Sequence, residues 1–494
     1  MARWSRRAEP AGLVLIVLAY LVLGVLYATL TPPWQVPDEP AHYNYVRYLV
    51  EERRFPILQM GDYDQAYMDE ITKERFDPAL SIDPIRYEFH QPPLYYLLAA
   101  PIYALFDGLL LPLRLLSILL GAILLVVTYL AGKAMFPNLA WPALGMTAFV
   151  AFIPQHVAMT AAVENDALGE LCVGLVLLGL IRWLRADEST RPRRLIGIGL
   201  CIGLGLLTKT TAYITLPLAV IAVGLKFWQR SPAGKRHMDV RGVLAATGSL
   251  LLPALLLGLP WFVRNARVYG GLDILGLERH GQVVVGQLRT SEWIAQHGWA
   301  RLPGAFITTT FHSFWAQFGW MAVPIDARIY TVLSLLSGIA ALGFLFWLID
   351  FCTAKYQAQA AAILLACSGL LTLATFLGYN LSFYQAQGRY LFPALIPLSI
   401  AWVLGLRQIL RRENAALIGI ALALVATITG IGWVARVCGD KWRVLIAGLG
   451  TAFFGGRWLL PEWTTKWLLA STYVPLIGLC AVSPFWFILP YLTP

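Results

Sequence analysis

Apolar runs of about 18–25 residues recur along this chain from Ala11 almost to its end, each long enough to cross a bilayer as a helix. In lipid the backbone must satisfy its own polar groups, so such a chain has to fold as a bundle of helices. Composition agrees: 58% of the residues are hydrophobic and 13% charged, against roughly 25% charged in soluble domains. The first run, Ala11 to Leu30, is too long for a signal peptide and is followed by no small-residue cleavage site, so it reads as an uncleaved span. The net charge of +10 comes in short basic blocks between apolar runs, the pattern of loops retained on the inner side of a membrane. It does not form the basic-aromatic strip of a nucleic-acid binder. The six cysteines, Cys172, Cys201, Cys352, Cys367, Cys438 and Cys480, are scattered and form no CxxC pair, which leaves neither a disulfide framework nor a zinc knuckle.

Charge also orients the chain. Arg3, Arg6 and Arg7 before the first span place the N-terminus in the cytoplasm. Residues 31–90 then lie outside and hold 12 of the 28 acidic residues. Within them "YNYVRYLVEE" reads as an amphipathic helix on the interface. Basic loops at 182–194, 226–241 and 407–412 fix the inner side. Spans are expected near 110–132, 138–158 and 166–184, and an over-long run at 195–226 is broken at "LTKTTAY". Others are expected at 242–262, 328–350, 357–379, 391–407, 415–435 and 468–490, with a Trp-rich interfacial stretch between the last two. The apolar segment 92–106 has to be shallow or re-entrant, because a full crossing would put the Arg-rich 182–194 loop outside.

This topology gathers the unusual polar groups on one side. They are Asp38, Glu39, His42, Glu88, His90, Glu164, Asn165, Asp166, Lys209, Arg264, Arg267, Arg389 and Tyr390. Ionisable groups at membrane depth are costly and are functional by default. Two acidic clusters on separate loops, backed by cations, suit a site that accepts a phosphate leaving group and deprotonates an acceptor. One carboxylate serves as general base, another helps to hold a divalent cation, and Lys or Arg neutralises phosphate. Plainer readings stand beside these. Asp38 and Glu39 could cap the helix that begins near Ala41, and Asp166 the span that it precedes. His90 could be a packed turn residue, and Arg264, Arg267 and Arg389 ordinary loop charges. Lys209, inside an apolar run, has no plain reading, because an unpaired buried ammonium is expensive.

Taken in order, "PDEPAHYNYVRYL", "EFHQPPLYYLL" with the Arg-led "RLLSILLGAILLVVTYL", "VENDAL", "LGLLTKTTAYITLP" and "QGRYLFPALIPL" resemble the motifs of the GT-C superfamily of integral membrane glycosyltransferases. The nearer branches are the lipid A aminoarabinose transferases and the protein O-mannosyltransferases. The resemblance runs from residue 31 to about 400, and the last ninety or so residues are unmatched. It implies a sugar donor on a polyprenyl phosphate such as undecaprenyl phosphate, and inverting transfer on the extracytoplasmic face. Asp38 would be the base and Glu39 its partner. Asp166, with Glu164 or Glu88, would hold a divalent metal (Mg, Mn or Zn) or support it. Lys209, Arg264 or Arg267, Arg389 with Tyr390, and His90 would contact the donor phosphate. His42 and Asn165 would meet the acceptor or substrate. The family lysine before the paired prolines is Gln91 here, which removes one expected phosphate contact.

The expected protein is therefore an all-α polytopic membrane protein of GT-C fold, with about 11–13 transmembrane helices and interfacial helices in its first outer loop. Residues 1–262 would form an N-terminal catalytic module, 263–327 a second large outer loop, and 328–494 the C-terminal helices. The expected localisation is a bacterial inner membrane. Its partners would be the lipid-linked donor, a saccharide, glycolipid or protein acceptor, and the bilayer, with no nucleic acid. A transporter or flippase of lipid-linked sugars is the rival reading. It would show repeat symmetry and matching mid-span charges in two halves, and neither is visible here. A membrane scaffold would not need paired carboxylates with a lysine in an apolar run. An O-antigen ligase-like enzyme would carry its principal loop late in the chain.

Overall fold

The structure, a computed structural model, describes residues 8–186, 192–230, 239–353, 359–437 and 441–493. Arg3, Arg6, Arg7, Cys438 and the centres of the 182–194 and 226–241 loops lie outside the described residues. Among the described residues the regular structure is helical, apart from one two-residue hairpin, β1 (Gln317–Phe318) with β2 (Val323–Pro324), and an isolated bridge between Arg289 and Phe383. Among the described residues ten helices are long and apolar enough to cross a membrane, or eleven if one bent pair counts as a span. This is the all-α polytopic fold that the apolar runs require.

The chain enters through α1 (Ala8–Leu30), then α2 (Glu39–Glu52), α3 (Gln65–Lys73), the short α4 (Leu94–Leu105) and α5 (Leu110–Met135). The bent pair follows, α6 (Trp141–Ala151) and α7 (Pro154–Thr160), turning by 66° just before Pro154. Proline lacks the N–H that would carry the ladder on, so it starts the new segment instead. Next come α8 (Asp166–Arg185), α9 (Pro192–Leu206), α10 (Thr215–Arg230) and α11 (Val240–Tyr269). Three short helices, α12 (Leu277–Val283), α13 (Thr290–His297) and α14 (Leu302–Trp315), build the second loop region. The remainder is α15 (Ala327–Thr353), α16 (Gln359–Ser382), α17 (Leu395–Ile409), α18 (Arg412–Val434), α19 (Lys441–Leu459) and α20–α22 within residues 465–492.

Contacts between distant residues decide which ends share a side, without reference to any membrane. The α4 helix begins where the Leu94 N–H meets the Leu207 carbonyl at 2.8 Å, and just past its end the Gly108 carbonyl accepts the Tyr43 hydroxyl at 2.8 Å. These contacts tie the start of α4 to the end of α9 and the turn past its other end to α2. The 15-residue α9, about 22 Å long, brings the chain back beside α8, so that Lys209 and Asp166 meet. Much of the Trp-rich stretch expected to be interfacial is one helix, residues 441–459. As α19 it runs antiparallel along α18, and near its end Arg412 reaches the Trp458 carbonyl at 2.6 Å. Its terminal charges and many glycines dilute its hydropathy, which hides it in a sequence scan.

Small residues set the closest helix contact. A Cβ at Gly405 of α17 would fall 2.0 Å from the Ala340 carbonyl oxygen, and one at Gly343 of α15 would fall 2.1 Å from the Gly405 oxygen. The backbones of α15 and α17 therefore touch, which is how membrane helices associate without a hydrophobic driving force between them.

Candidate active site

The first acidic pair divides at its backbone. Asp38 stands at the N-cap position of α2 with φ 68° and makes no capping bond. Asp tolerates this left-handed conformation at a cost of about 1 kcal/mol, and here it turns the carboxylate away from the helix. Oδ1 accepts the Tyr87 hydroxyl at 2.6 Å, and Oδ2 pairs with the Arg389 guanidinium. Glu39 faces the other way and is fully buried. Its two oxygens take a two-pronged grip from Arg114 at 2.7 and 2.6 Å, and also accept the N–H groups of Trp34 at 3.1 Å and Val163 at 3.2 Å. Arg114 in turn donates to the carbonyls of Ala28 at 2.9 Å and Thr31 at 2.8 Å. Glu39, expected beside the base, is instead a bolt joining α1, α2, α5 and the 161–165 turn.

The second acidic cluster comes to Asp38 through Arg389, which opens the 3-10 turn that leads into α17. Its other terminal nitrogen reaches Glu164 Oε1 at 3.0 Å, so one guanidinium bridges the two loops. Asp166 in the first turn of α8 pairs with Lys209 Nζ at 2.6 Å. Lys209 sits in extended backbone at the break between α9 and α10, where the ammonium can leave the apolar run for a partner. Tyr390 lies under the Arg389 guanidinium, 5.3 Å from carbon to ring centre, a cation–π geometry. The cluster of Asp38, Glu164, Asp166, Lys209 and Arg389, with Tyr390, is built from four separated stretches of sequence.

Its electrostatics separate the carboxylates. Burial alone would raise Asp38, but the Arg389 charge and the Tyr87 hydroxyl outweigh it and hold this carboxyl below its usual range. Glu164 goes the other way. Its burial is complete enough that, even with Arg389 in contact, it is held well above the usual range, and nearby Asp166 adds to the rise. Asp38 and Asp166 each face one cation, Arg389 and Lys209 respectively.

The other expected residues lie around or beyond this cluster. His42 is buried, with Nδ1 2.7 Å from the Tyr96 hydroxyl, and burial lowers its pKa. Asn165 is a tie, its amide donating to the Thr208 carbonyl at 3.1 Å. Glu88 is buried near His42. His90 is neutral, because burial lowers it to about 4, and its Nδ1 is 3.1 Å from the Tyr87 carbonyl. It packs 4.6 Å from His280, which burial lowers to about 3, so it supplies no positive charge to a phosphate. Arg264 and Arg267 do not join the cluster. The α11 helix runs on through both of them; Arg264 grips the Pro56 carbonyl and covers the Trp261 ring at 4.6 Å, and Arg267 is exposed. Sequence reasoning missed Tyr87 and Arg114. An arginine leading an apolar run was a usable signal for Arg114, whereas a tyrosine in an aromatic-rich loop gave none.

Of the residues expected to hold a divalent ion, Glu164 and Asp166 already have cationic partners, and among the described residues no three His, Cys, Asp or Glu side chains are arranged as a metal site. Buried oxygens of Glu88, Glu164 and Asn165 do lack donors. They suit the hydroxyls of a ligand as well as they suit a cation.

Fold and site together define a polytopic helical membrane protein whose polar centre lies at one end of the bundle and pairs an ionised carboxylate with two cations. Residues 90–255 match the model of the dolichyl-phosphate-mannose-protein mannosyltransferase family. Over that stretch, about a third of the chain, the sequence is similar to that family. The matched stretch contains Glu164, Asp166 and Lys209, while Asp38 and Arg389 lie outside it. No curated protein sequence matches the chain. Among solved structures it is similar to the oligosaccharyltransferase of Archaeoglobus fulgidus, with 14% identity and a TM-score of 0.49 over 96% of this chain and 57% of that one. ArnT from Cupriavidus metallidurans, solved with undecaprenyl phosphate, gives 15% identity and a TM-score of 0.47 over 95% and 74%. The Pmt1-Pmt2 protein O-mannosyltransferase of S. cerevisiae gives 14% and 0.38 over 54% and 35%. The chain thus spans little more than half of the archaeal enzyme. At these identities and scores none of the three bears on its chemistry.

Proposed function

We propose that this protein transfers a sugar from a polyprenyl-phosphate donor of the undecaprenyl type to an acceptor hydroxyl, with inversion and with Asp38 as general base. The observation that carries this reading is the meeting of Asp38, Glu164 and Asp166 with Arg389 and Lys209 at one end of the bundle. A polyprenyl donor keeps its tail in the bilayer, so its phosphate arrives at the level where helices meet loops. The cluster lies where α2, the 161–165 turn, the α9–α10 break and the 388–394 turn converge. We take that end to be extracytoplasmic and the N-terminus cytoplasmic, in a bacterial inner membrane.

Carboxylates hold the two cations in place until the phosphate replaces them. Once Arg389 and Lys209 turn to the donor phosphate, Asp38 loses its strongest partner and becomes a better base, still aimed by Tyr87. The acceptor oxygen then attacks the anomeric carbon from the face opposite the phosphate. The bond from that carbon to the phosphate oxygen breaks, the acceptor proton passes to Asp38, and polyprenyl phosphate leaves as the anion that the two cations neutralise. Displacement of this kind inverts the centre and needs no covalent intermediate.

Transfer of labelled sugar from polyprenyl-phosphate donors in detergent tests the reading. Asp38→Asn is expected to lower turnover by roughly 10²–10⁴, the span of general base catalysis, with the folded yield unchanged. Wild-type-like transfer by that variant would refute the base. Failure of the wild type with every donor tried, together with movement of the donor lipid across vesicles, would favour the transporter.

A further inference from the structure

A cavity of about 390 Å³ opens between α15 and the α18–α19 hairpin, and shares no residue with the cluster around Arg389. The α15 helix is pressed backbone to backbone against α17 on one face, which leaves its other face standing off from the hairpin. Three features of the lining set its chemistry. Arg443, in the first turn of α19, is exposed and makes no hydrogen bond or ion pair among the described residues. Thr331, Ser334 and Thr429 line the wall, and each spends its one hydroxyl proton on a carbonyl of its own helix, at 3.0, 2.9 and 2.7 Å. Their oxygens are therefore left as acceptors. Deeper, Leu335 and Val425 make the surface apolar.

Depth adds a constraint. Thr331 and Ser334 stand four and seven residues inside the start of α15, about 6 and 10 Å below its end. That is the distance from headgroup to first acyl carbons in a bilayer. Beside the mouth Trp442 lies 5.4 Å under the Arg328 guanidinium and 5.8 Å under the Lys441 ammonium, an aromatic-cationic rim of the interfacial type. Arg328 is paired with Asp326, so Arg443 is the lining cation left to meet an external anion.

The geometry points to a binding site for an anionic, polyol-headed bilayer lipid of the phosphatidylglycerol kind, separate from the transfer site and on the same side of the bundle. Arg443 takes the phosphate, and the acceptor oxygens of Thr331, Ser334 and Thr429 take headgroup hydroxyls. The acyl chain follows Leu335 and Val425 down the open side of α15. A phosphate alone would use the arginine and leave the acceptors idle.

Native mass spectrometry of the full chain in detergent tests this with phosphatidylglycerol, phosphatidic acid, phosphatidylcholine and soluble glycerol phosphate. Retention is expected in the order phosphatidylglycerol, phosphatidic acid, phosphatidylcholine, with glycerol phosphate failing to compete. Arg443→Gln, which breaks no protein contact, should weaken phosphatidylglycerol by on the order of tenfold, the worth of one charged hydrogen bond. Thr331→Val with Ser334→Ala should erase its advantage over phosphatidic acid. Equal retention by wild type and Arg443→Gln, or equal retention of phosphatidylcholine, would overturn the assignment. Competition by glycerol phosphate would make the cleft a free-anion site, and displacement by polyprenyl phosphate a donor site; either result also overturns it.

Discussion

Asp38 and Glu39 are adjacent carboxylates, each paired with an arginine, yet they have opposite fates. The Glu39–Arg114 pair is dry, with side chains 0% and 2% exposed, and every oxygen of Glu39 has a protein donor. The Asp38–Arg389 pair is open, Asp38 being 22% exposed, and its arginine is shared with Glu164. One backbone torsion separates them, since the left-handed turn at Asp38 sends consecutive side chains to different places. A saturated buried pair fixes the fold. A pair with a shared cation and an exposed edge can exchange that cation for a ligand.

Breaking the dry pair should have the largest effect on the molecule. Glu39→Gln removes the second prong and leaves Arg114 buried without its charge, which costs about 3–5 kcal/mol. Thermal unfolding in detergent should show this loss, while transfer per folded molecule should survive. Glu39→Met with Arg114→Leu should recover only part of it, because the Trp34 and Val163 N–H groups then lose their acceptor. A fully stable Glu39→Gln that fails in transfer would reverse the roles of the two carboxylates.

The open pair responds to pH. Folding holds Asp38 below its ordinary value of about 4, so the stability it contributes is present above that pH and is lost as pH falls through the folded value. Transfer should accordingly keep an ionised base through neutral and mildly acidic conditions and lose it on a limb below about pH 4. Removing one hydroxyl with Tyr87→Phe takes away a hydrogen bond worth about 1–2 kcal/mol. It should shift that acid limb upward by on the order of one pH unit, which a pH–rate profile would read. An unmoved limb would mean that Tyr87 does not act on the base.

Much of this arrangement was legible before the fold was seen. Asp38, Asp166, Lys209 and Arg389 are charges at the ends of apolar runs, where cost alone marks them. What could not be read depended on three-dimensional detail. No pattern distinguishes Asp38 from Glu39, because a φ angle does so. Arg264 looks like a loop cation until α11 proves to run past it. His90 looks like a phosphate ligand until burial against His280 removes its charge. The α19 helix is hidden because its terminal charges and its glycines lower its hydropathy.

The smallest expected effect is the sharpest test of the contrast between carboxylates. Asp38 and Glu164 contact the same guanidinium, and two ionised groups there with Asp166 would leave the cluster one negative charge in excess. Burial pushes Glu164 well above the usual range, toward its neutral form, while Asp38 is held below it. Glu164→Gln imitates that neutral form. Its amide oxygen can face Arg389, as Oε1 does now at 3.0 Å, and its NH₂ can turn toward Asp166. Stability is expected to change by less than about 1 kcal/mol and transfer by no more than a few-fold. Glu164→Ala, which removes the arginine's second partner, should be several times worse. If the Gln variant instead loses as much transfer as Asp38→Asn, Glu164 is ionised in the working enzyme, and base and support have been assigned to the wrong loops.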